Sequence, residues 1–66
     1  MNKTDAGRVF LRRKAVQEKT GLPESTLYAL VAKGRFPKPI KLGERAVAWL
    51  ESDVEAWQAE KLAAAK

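Results

Sequence analysis

The 66-residue sequence contains neither cysteine nor histidine. Without cysteine the chain can form no disulfide and no thiolate metal site. Without histidine it lacks the commonest metal ligand and a frequent general base. Its acidic residues do not have the spacing of paired catalytic carboxylates or of metal ligands. We therefore expect a protein that is not an enzyme and that has no metal and no cofactor.

Long apolar runs are also missing from the sequence. No stretch approaches the roughly 18 residues that a membrane span requires. The N-terminal stretch MNKTDAGRVF has no apolar core of the kind found in signal peptides. We expect a soluble, cytoplasmic protein that has neither a membrane nor a small-molecule substrate as its partner.

Positive charge is abundant and unevenly distributed. The chain has 13 Lys and Arg against eight Asp and Glu, a net charge of +5. Residues 1–45 carry 11 of these cations and four anions, a balance of +7, whereas residues 46–66 carry two and four, a balance of −2. A basic surface on one part of a small domain is typical of a protein that binds a polyanion. The alternative is that the charge serves solubility alone.

Two short helices joined by a tight turn are predicted. The first covers residues 12–20 and ends before Gly21, since glycine is common just beyond helix C-termini. The second covers about 23–33, with Pro23 at the first helical position, where its missing N–H has no cost. A connection as short as GLP makes the helices cross steeply, which is the arrangement of a helix-turn-helix motif.

The apolar residues of this region predict the core of the motif. Leu27, Leu30 and Val31 have the i, i+3, i+4 spacing of one helix face. Val16 from the first helix and Leu22 from the turn are expected to pack against Leu27 and Leu30.

A β-hairpin is predicted after the second helix. Pro37 and Pro39 exclude a helix and favour extended backbone before them. IKL at 40–42 alternates apolar and basic residues, GER at 43–45 forms a turn, and AVAW at 46–49 can return as the second strand. The hairpin, residues 38–49, is called the wing below.

Side-chain alternation predicts that Lys41 points to solvent, opposite Ile40 and Leu42. The apolar run VFL at 9–11 is either a short edge strand or the lead-in to the first helix.

A third helix is predicted from SDVE at 52–55, which matches a capping box with Ser52 as N-cap. Leu50, Val54 and Trp57 follow at i, i+4 and i+7, so this helix should lay one face on the rest of the domain.

These elements together predict an α+β, mainly α fold. It would be a small winged helix-turn-helix with three helices and a β-hairpin wing. Residues 1–8 are expected to be a flexible N-terminus, 9–60 the domain, and 61–66 a frayed C-terminal tail.

The outer face of the second helix is small, polar and not acidic, with Ser25, Tyr28, Ala29 and Ala32 on it and Lys33 at its flank. Such a face allows a helix to approach base edges in a major groove. An ordinary solvated helix face is the alternative.

Individual residues of this helix suggest specific contacts. Ser25 and Thr26 can hydrogen-bond to base edges, and Tyr28 can reach a phosphate. Glu24 either accepts a hydrogen bond from cytosine N4 or only complements the helix dipole.

A second group of candidates is cationic. Arg45 at the wing tip is the best candidate for a narrow minor groove. Protection of an exposed strand edge by charge is the alternative role of the wing cations. The candidates for phosphate contact are Lys33, Arg35, Lys38, Lys41 and Arg45 around the wing, and the RRK run at 12–14, above all Arg12 and Lys14, at the start of the first helix. Plain solvation is the alternative for this run.

Three aromatic residues, Phe36, Trp49 and Trp57, could stack on bases, as in single-strand-binding proteins. Each occupies an apolar periodic position, and a domain of this size needs large aromatic side chains in its core. We expect all three to be core residues.

Several short motifs are distributed over most of the chain, from about Phe10 to Trp57. They are TGL at 20–22, STLY at 25–28, G-x-FP-x-P at 34–39, and LGER-x-V-x-W at 42–49 followed by Trp57. In combination they resemble the AlpA family of phage and prophage transcriptional regulators, which is related to excisionases and to MerR-like winged-helix proteins.

The resemblance implies a small winged helix-turn-helix that binds DNA near prophage genes. Such proteins regulate integrase or excisionase expression, or act directly as recombination directionality factors at attachment sites. Two positions depart from the family pattern: Arg13 stands where an aliphatic residue is more common, and Pro23 replaces the usual small N-cap residue. The first helix is therefore expected to begin or pack differently, and the second to obtain its cap from elsewhere.

The sequence as a whole predicts specific binding to double-stranded DNA, with helix 23–33 in the major groove and the wing on the adjacent backbone. A single module typically buries only about 600–1,000 Å² on DNA. We therefore expect self-association on paired or tandem sites, or a protein partner such as an integrase, and a nucleoid-associated location when bound. The alternative from another class is a protein-interaction adaptor that docks through Leu62 and the tail.

Overall fold

The computed structural model describes residues 9–65. The segment 1–8, expected to be flexible, lies outside the described residues. Three helices and a small antiparallel sheet make up the domain, so the predicted α+β, mainly helical fold class is confirmed. In chain order the elements are β1 (Phe10–Leu11), α1 (Arg13–Thr20), α2 (Glu24–Ala32), β2 (Ile40–Lys41), β3 (Val47–Leu50) and α3 (Glu51–Ala64).

The turn between α1 and α2 depends on a glycine. Gly21 has φ +76°, in the left-handed region, and donates its N–H to the carbonyl of Gln17 at 2.7 Å. Glycine adopts this conformation without the steric cost that a Cβ would bring. The Thr20 hydroxyl donates to the Val16 carbonyl at 2.7 Å, which closes the last turn of α1. The predicted tight helix-turn-helix connection is confirmed.

Pro23 lies just before α2 and not at its first helical position, where it was predicted. It is the N-cap residue of α2, with extended backbone at φ −65° and ψ 159°, and no side chain caps this helix end. The Pro23 carbonyl accepts the N–H of Leu27 at 2.9 Å. Because this ψ lies outside the helical range, Pro23 is not part of the helix, and α2 begins at the next residue, Glu24.

The sheet has the order β1-β3-β2, with both neighbours antiparallel. The run at 9–11 contributes a strand, and Phe10 pairs with Leu50. The predicted hairpin between β2 and β3 is confirmed, because the N–H groups of Leu42 and Gly43 both donate to the Ala46 carbonyl, at 2.7 and 3.2 Å.

The predicted exposure of Lys41 is confirmed, but neither residue of β2 is buried. Lys41 is exposed, but Ile40 and Leu42 are also 36% and 46% exposed. Ile40 pairs with Ala48, so it lies on the sheet face opposite that of Trp49, the residue buried against the helices. Ala48 is fully buried on that face, whereas Ile40, on the edge strand β2, is exposed.

The core joins all three helices to the sheet. Its buried members are Val16, Leu27, Phe36, Trp49 and Val54, against which Leu11, Leu22, Leu30, Val31 and Trp57 pack. The predicted core role of the three aromatic residues is confirmed, with Trp57 only half-buried. The Phe36 ring meets those of Trp49 and Trp57 edge to face, at centroid distances of 6.5 and 4.9 Å.

The segment between α2 and the wing is held by these tryptophans. The Trp49 indole N–H donates to the Pro37 carbonyl at 2.8 Å, and the Trp57 indole N–H donates to the Arg35 carbonyl at 2.9 Å. Phe36, between the two acceptors, is buried. The backbone that connects α2 to the wing is therefore fixed from both sides.

The predicted start of α3 is wrong. The helix begins at Glu51, directly after β3, and its N-cap is Leu50, which makes no side-chain cap. The Glu51 N–H donates to the Val9 carbonyl at 2.8 Å, so the pairing of β1 with β3 continues to the residue where the helix begins. This arrangement leaves Ser52 inside the helix, where it cannot act as N-cap.

Helix α3 continues to Ala64, through most of the tail that was expected to fray. The boundary at residue 60 stays a prediction. Within residues 9–65, none of the helices has the length and hydropathy needed to cross a membrane.

Candidate nucleic-acid interface

Every residue predicted to contact DNA is exposed. These residues come from three parts of the fold: the start of α1, the helix α2 with the segment after it, and the wing. They are Arg12 and Lys14; Glu24, Ser25, Thr26, Tyr28, Ala29, Lys33 and Arg35; and Lys38, Lys41 and Arg45.

Helix α2 is amphipathic in the way its sequence predicted. Leu27 is fully buried, and Leu30 and Val31 are half-buried against the core. Ser25 and Ala29 are exposed on the same helix. The face turned away from the core therefore carries small side chains and a hydroxyl, which permit close approach to a groove.

Tyr28 lies where α1, α2 and the sheet meet. Its ring is 40% exposed and sits 6.4 Å from the Trp49 ring, centroid to centroid, at an angle of 54°. An open cleft of about 310 Å³ adjoins it, lined by Arg12, Arg13, Lys14, Tyr28 and Val47. Three cationic side chains and a phenol around one cleft can bind an anion such as a phosphate group.

Arg13, the middle residue of the RRK run at 12–14, also lines this cleft. Its Nη1 donates to Oε2 of Glu24 at 3.0 Å, and the two side chains are 46% and 57% exposed. The pair connects the first turn of α1 with the first turn of α2. Nothing in the local sequence indicates a contact between residues eleven positions apart. Arg13, where the sequence departs from the family pattern, is also the first residue of α1.

The cationic side chains of the wing and of the neighbouring segments are not neutralised by ion pairs with described residues. Within the described part of the chain, the ion pairs use only Arg13 and Lys19 as cations. Seven exposed cations around α2 and the wing therefore make no ion pair with a described residue: Arg12, Lys14, Lys33, Arg35, Lys38, Lys41 and Arg45.

The negative charges of α3 are partly engaged by Lys19. The Lys19 ammonium lies 3.4 Å from Glu55 and 3.9 Å from Glu51. The Gln58 side chain also donates to the Lys19 carbonyl at 2.9 Å. These contacts attach the C-terminal half of α1 to α3, whereas its N-terminal residues contribute to the cationic cleft.

No group of three or more Asp and Glu residues within 9–65 is arranged to hold a metal ion. The described surface is thus characterised by unpaired cations around one exposed helix.

These features define a small α+β helix-turn-helix domain with a basic face beside a β-hairpin. The family model described as "Prophage CP4-57 regulatory protein (AlpA)" matches residues 9–62. The chain belongs to this AlpA family.

Two relatives agree with this membership. The chain is 47% identical over 57 residues to "Uncharacterized protein ORF88" of Enterobacteria phage P4, covering 86% of this chain and 65% of the relative. It is 33% identical over 67 residues to "DNA-binding transcriptional activator AlpA" of Escherichia coli (strain K12), covering 92% and 94% of the two chains. The chain thus spans less than two thirds of the phage protein and nearly all of the bacterial one.

Proposed function

We propose that this protein is a sequence-specific double-stranded DNA-binding regulator of the prophage type, without enzymatic activity. The observation that carries the proposal is the set of seven exposed cations that make no ion pair with any residue of 9–65 and lie around α2 and the wing. Membership in the AlpA family and the description of the E. coli relative as a DNA-binding transcriptional activator support it.

In the proposed complex, α2 enters the major groove. Ser25 and Thr26 hydrogen-bond to base edges, the Ala29 methyl group meets a thymine methyl, and Tyr28 contacts a phosphate. The packing of Leu27 in the core supports this orientation, because it directs the opposite side of α2 outward.

The wing would lie on the adjacent backbone. Lys41 and Arg45 contact phosphates there, or Arg45 enters the minor groove, where the negative potential is enhanced in narrow stretches. Arg12 and Lys14 would contribute phosphate contacts from the cleft beside Tyr28.

The salt dependence of binding tests the electrostatic part of the proposal. With about five phosphate contacts, log affinity should fall with log salt concentration at a slope near −4.5, at roughly −0.9 per contact. Retention of a preferred fragment at higher salt, in competition with mixed genomic fragments, indicates specific recognition. Loss of all preference would contradict it.

Two variants separate the roles of α2 and the wing. Ser25→Arg should change which fragment is preferred, because it alters a residue facing the bases. Arg45→Ala should weaken all fragments similarly, because phosphates are present in every sequence. Lys61→Ala removes the same charge from α3, a helix with no residue among the proposed DNA contacts, and serves as the control. If neither of the first two variants alters binding, both assignments are wrong.

The regulated target is the finer part of the proposal. We propose control of integrase or excisionase genes, with direct action at attachment sites as the alternative. Binding would involve paired or tandem sites, or an integrase as partner. A footprint on the surrounding genome distinguishes the two: protection upstream of a promoter supports gene control, and protection inside an attachment site supports a directionality factor.

A protein-interaction adaptor is the second candidate, favoured by Leu62, which is 67% exposed near the end of α3. The competition experiment also tests this candidate, since an adaptor would show no preferred fragment at either salt concentration.

A further inference from the structure

The ion pair between Arg13 and Glu24 places a carboxylate at the leading end of α2, on a mainly cationic surface. We propose that Glu24 accepts a hydrogen bond from a base amine, cytosine N4, and that Arg13 is the positioning residue that holds the carboxylate there. This inference rests on the proposed function, since it concerns the same interface with DNA.

The position of Glu24 fits direct contact with bases. It is the first residue of α2, and its side chain is 57% exposed. The N-terminal residues of a recognition helix are the ones that contact base edges in the helix-turn-helix motif. A carboxylate only accepts hydrogen bonds, and the major groove offers it two base amines, cytosine N4 and adenine N6. Adenine N6 lies beside the N7 acceptor, which repels a carboxylate, so cytosine N4 is the matched partner.

The geometry of the pair leaves both partners with unused capacity. Arg13 Nη1 donates to one carboxylate oxygen, Oε2, at 3.0 Å. A guanidinium has five N–H donors, and an ionised carboxylate has acceptor sites on both oxygens. Arg13 can therefore keep its bond to Glu24 and donate to a phosphate, while Oε1 of Glu24 accepts from a base.

The turn between the helices fixes the relative placement of the two residues. The Gln17 side chain donates to the Leu22 carbonyl at 3.3 Å, and the Gly21 N–H donates to the Gln17 carbonyl at 2.7 Å. These bonds connect α1 to the chain immediately before α2. The start of α2 is thus held against α1. Because its own helix is fixed relative to α2, Arg13 can restrict the position of the Glu24 carboxylate.

Electrostatics explain why a carboxylate here would need Arg13. A lone carboxylate near DNA phosphates is repelled, because like charges at short range are unfavourable. Pairing with a guanidinium offsets that charge while leaving the directional acceptor in place. The pair is exposed, and exposed pairs contribute little to folding stability. Its loss should therefore be measured in base preference more than in unfolding.

The experiment measures dissociation constants for the preferred fragment and for a panel of its single base-pair substitutions. Proteins compared are the unmodified chain, Glu24→Gln, Arg13→Gln and the double variant. Glu60→Gln, on α3 and exposed, removes the same charge elsewhere and is the matched control. Each preference is a ratio within one protein, so a change in its folded fraction cancels.

Glu24→Gln should reduce discrimination at one C·G pair by about 5- to 150-fold, the range typical of one base contact, and leave other positions unchanged. Because glutamine pairs with adenine, the preferred base at that position should move toward A·T. Arg13→Gln should reduce discrimination at the same pair, and the double variant should lose no more there than Glu24→Gln alone.

Three results would overturn the inference. Glu24→Gln could leave every preference intact while lowering the melting temperature, which would make the residue a partner of the helix dipole only. Arg13→Gln could weaken all fragments equally and reduce the salt slope by about 0.9, which would make Arg13 a phosphate contact only. Losses at two different base pairs would show that the residues act separately.

The unmodified chain distinguishes this inference from the proposed function. If it prefers no fragment, the proposed function fails and the inference fails with it. If it prefers a fragment and Glu24→Gln preserves that preference, only the inference fails.

Discussion

Replacement of Trp49 by phenylalanine should destabilise the domain considerably more than the same replacement at Trp57. Both indoles donate an N–H to the segment after α2, Trp49 to the Pro37 carbonyl at 2.8 Å and Trp57 to the Arg35 carbonyl at 2.9 Å. Their surroundings differ, because Trp49 is completely buried and Trp57 is half-buried. The two variants therefore remove the same kind of hydrogen bond in a part-buried and in an exposed environment.

The expected magnitudes follow from that difference. At Trp49, leaving the Pro37 carbonyl without its donor costs about 1–3 kcal/mol. The indole atoms that phenylalanine does not replace add roughly 1–2 kcal/mol, at about 0.8 kcal/mol per buried methylene. At Trp57 the Arg35 carbonyl can bond to water instead, so the net loss is about 0.5–1.5 kcal/mol.

These losses are large compared with the expected stability of the whole domain. At about 0.05–0.15 kcal/mol per residue, a chain of this length has roughly 3–10 kcal/mol in total. Trp49→Phe would therefore remove a substantial part of it, and Trp57→Phe a small part.

Urea unfolding followed by far-ultraviolet circular dichroism measures both variants, and thermal melting gives an independent value at roughly 4–8 °C per kcal/mol. Equal losses of free energy of unfolding at the two positions would refute the reasoning, since burial would then not determine the cost. A loss below about 1 kcal/mol at Trp49 would also refute it, because it would mean that the Pro37 carbonyl finds another partner.

Three further predictions concern the turns, the α1–α3 ion pairs and the wing. Gly21→Ala and Gly34→Ala should each cost about 1–2 kcal/mol in melting experiments, because both glycines have positive φ although a Cβ would meet no atom within 4 Å. Gly43→Ala has equal space and no positive φ, so an equal loss there would contradict the conformational explanation. Lys19→Met should cost at most about 1 kcal/mol and lose its effect in 1 M salt, where the Debye length is about 3 Å; persistence of the cost would show that charge is not its cause. Leu42→Ser should lower the free energy of unfolding by only about 1 kcal/mol, roughly half the value for a fully buried leucine, since the side chain is 46% exposed; a loss above about 2 kcal/mol in urea unfolding would contradict that exposure.

The helices and the turn of the motif could be predicted because their signals are local. Gly21 and Gly34 both adopt positive φ, at 76° and 74°, which is the conformation that ends a helix at a glycine. The spacing of apolar residues in α2 then gave the correct buried face, with Leu27 at its centre. In each case the cause lies within about four residues of its effect.

The errors occur where distant residues decide the outcome. Ser52 has the local pattern of an N-cap, but the bond from Glu51 to Val9 extends the sheet and starts α3 earlier. Alternation in β2 was correct in period, but only the pairing of Ile40 with Ala48 determines that Ile40 lies on the sheet face opposite that of Trp49. A short strand can satisfy its own period with either face inward.

The cationic segment after α2 is held in place by aromatic contacts and not by a disulfide. A domain without cysteine forms no disulfide, so its loops must be immobilised by packing and hydrogen bonds. Phe36 is buried, and the flanking carbonyls of Arg35 and Pro37 accept the two indole N–H groups. The backbone is thereby fixed while the Arg35 and Lys38 side chains remain exposed. A surface that is already ordered loses less entropy on binding. The aromatic contacts that stabilise the core should therefore also increase the affinity of the proposed phosphate contacts.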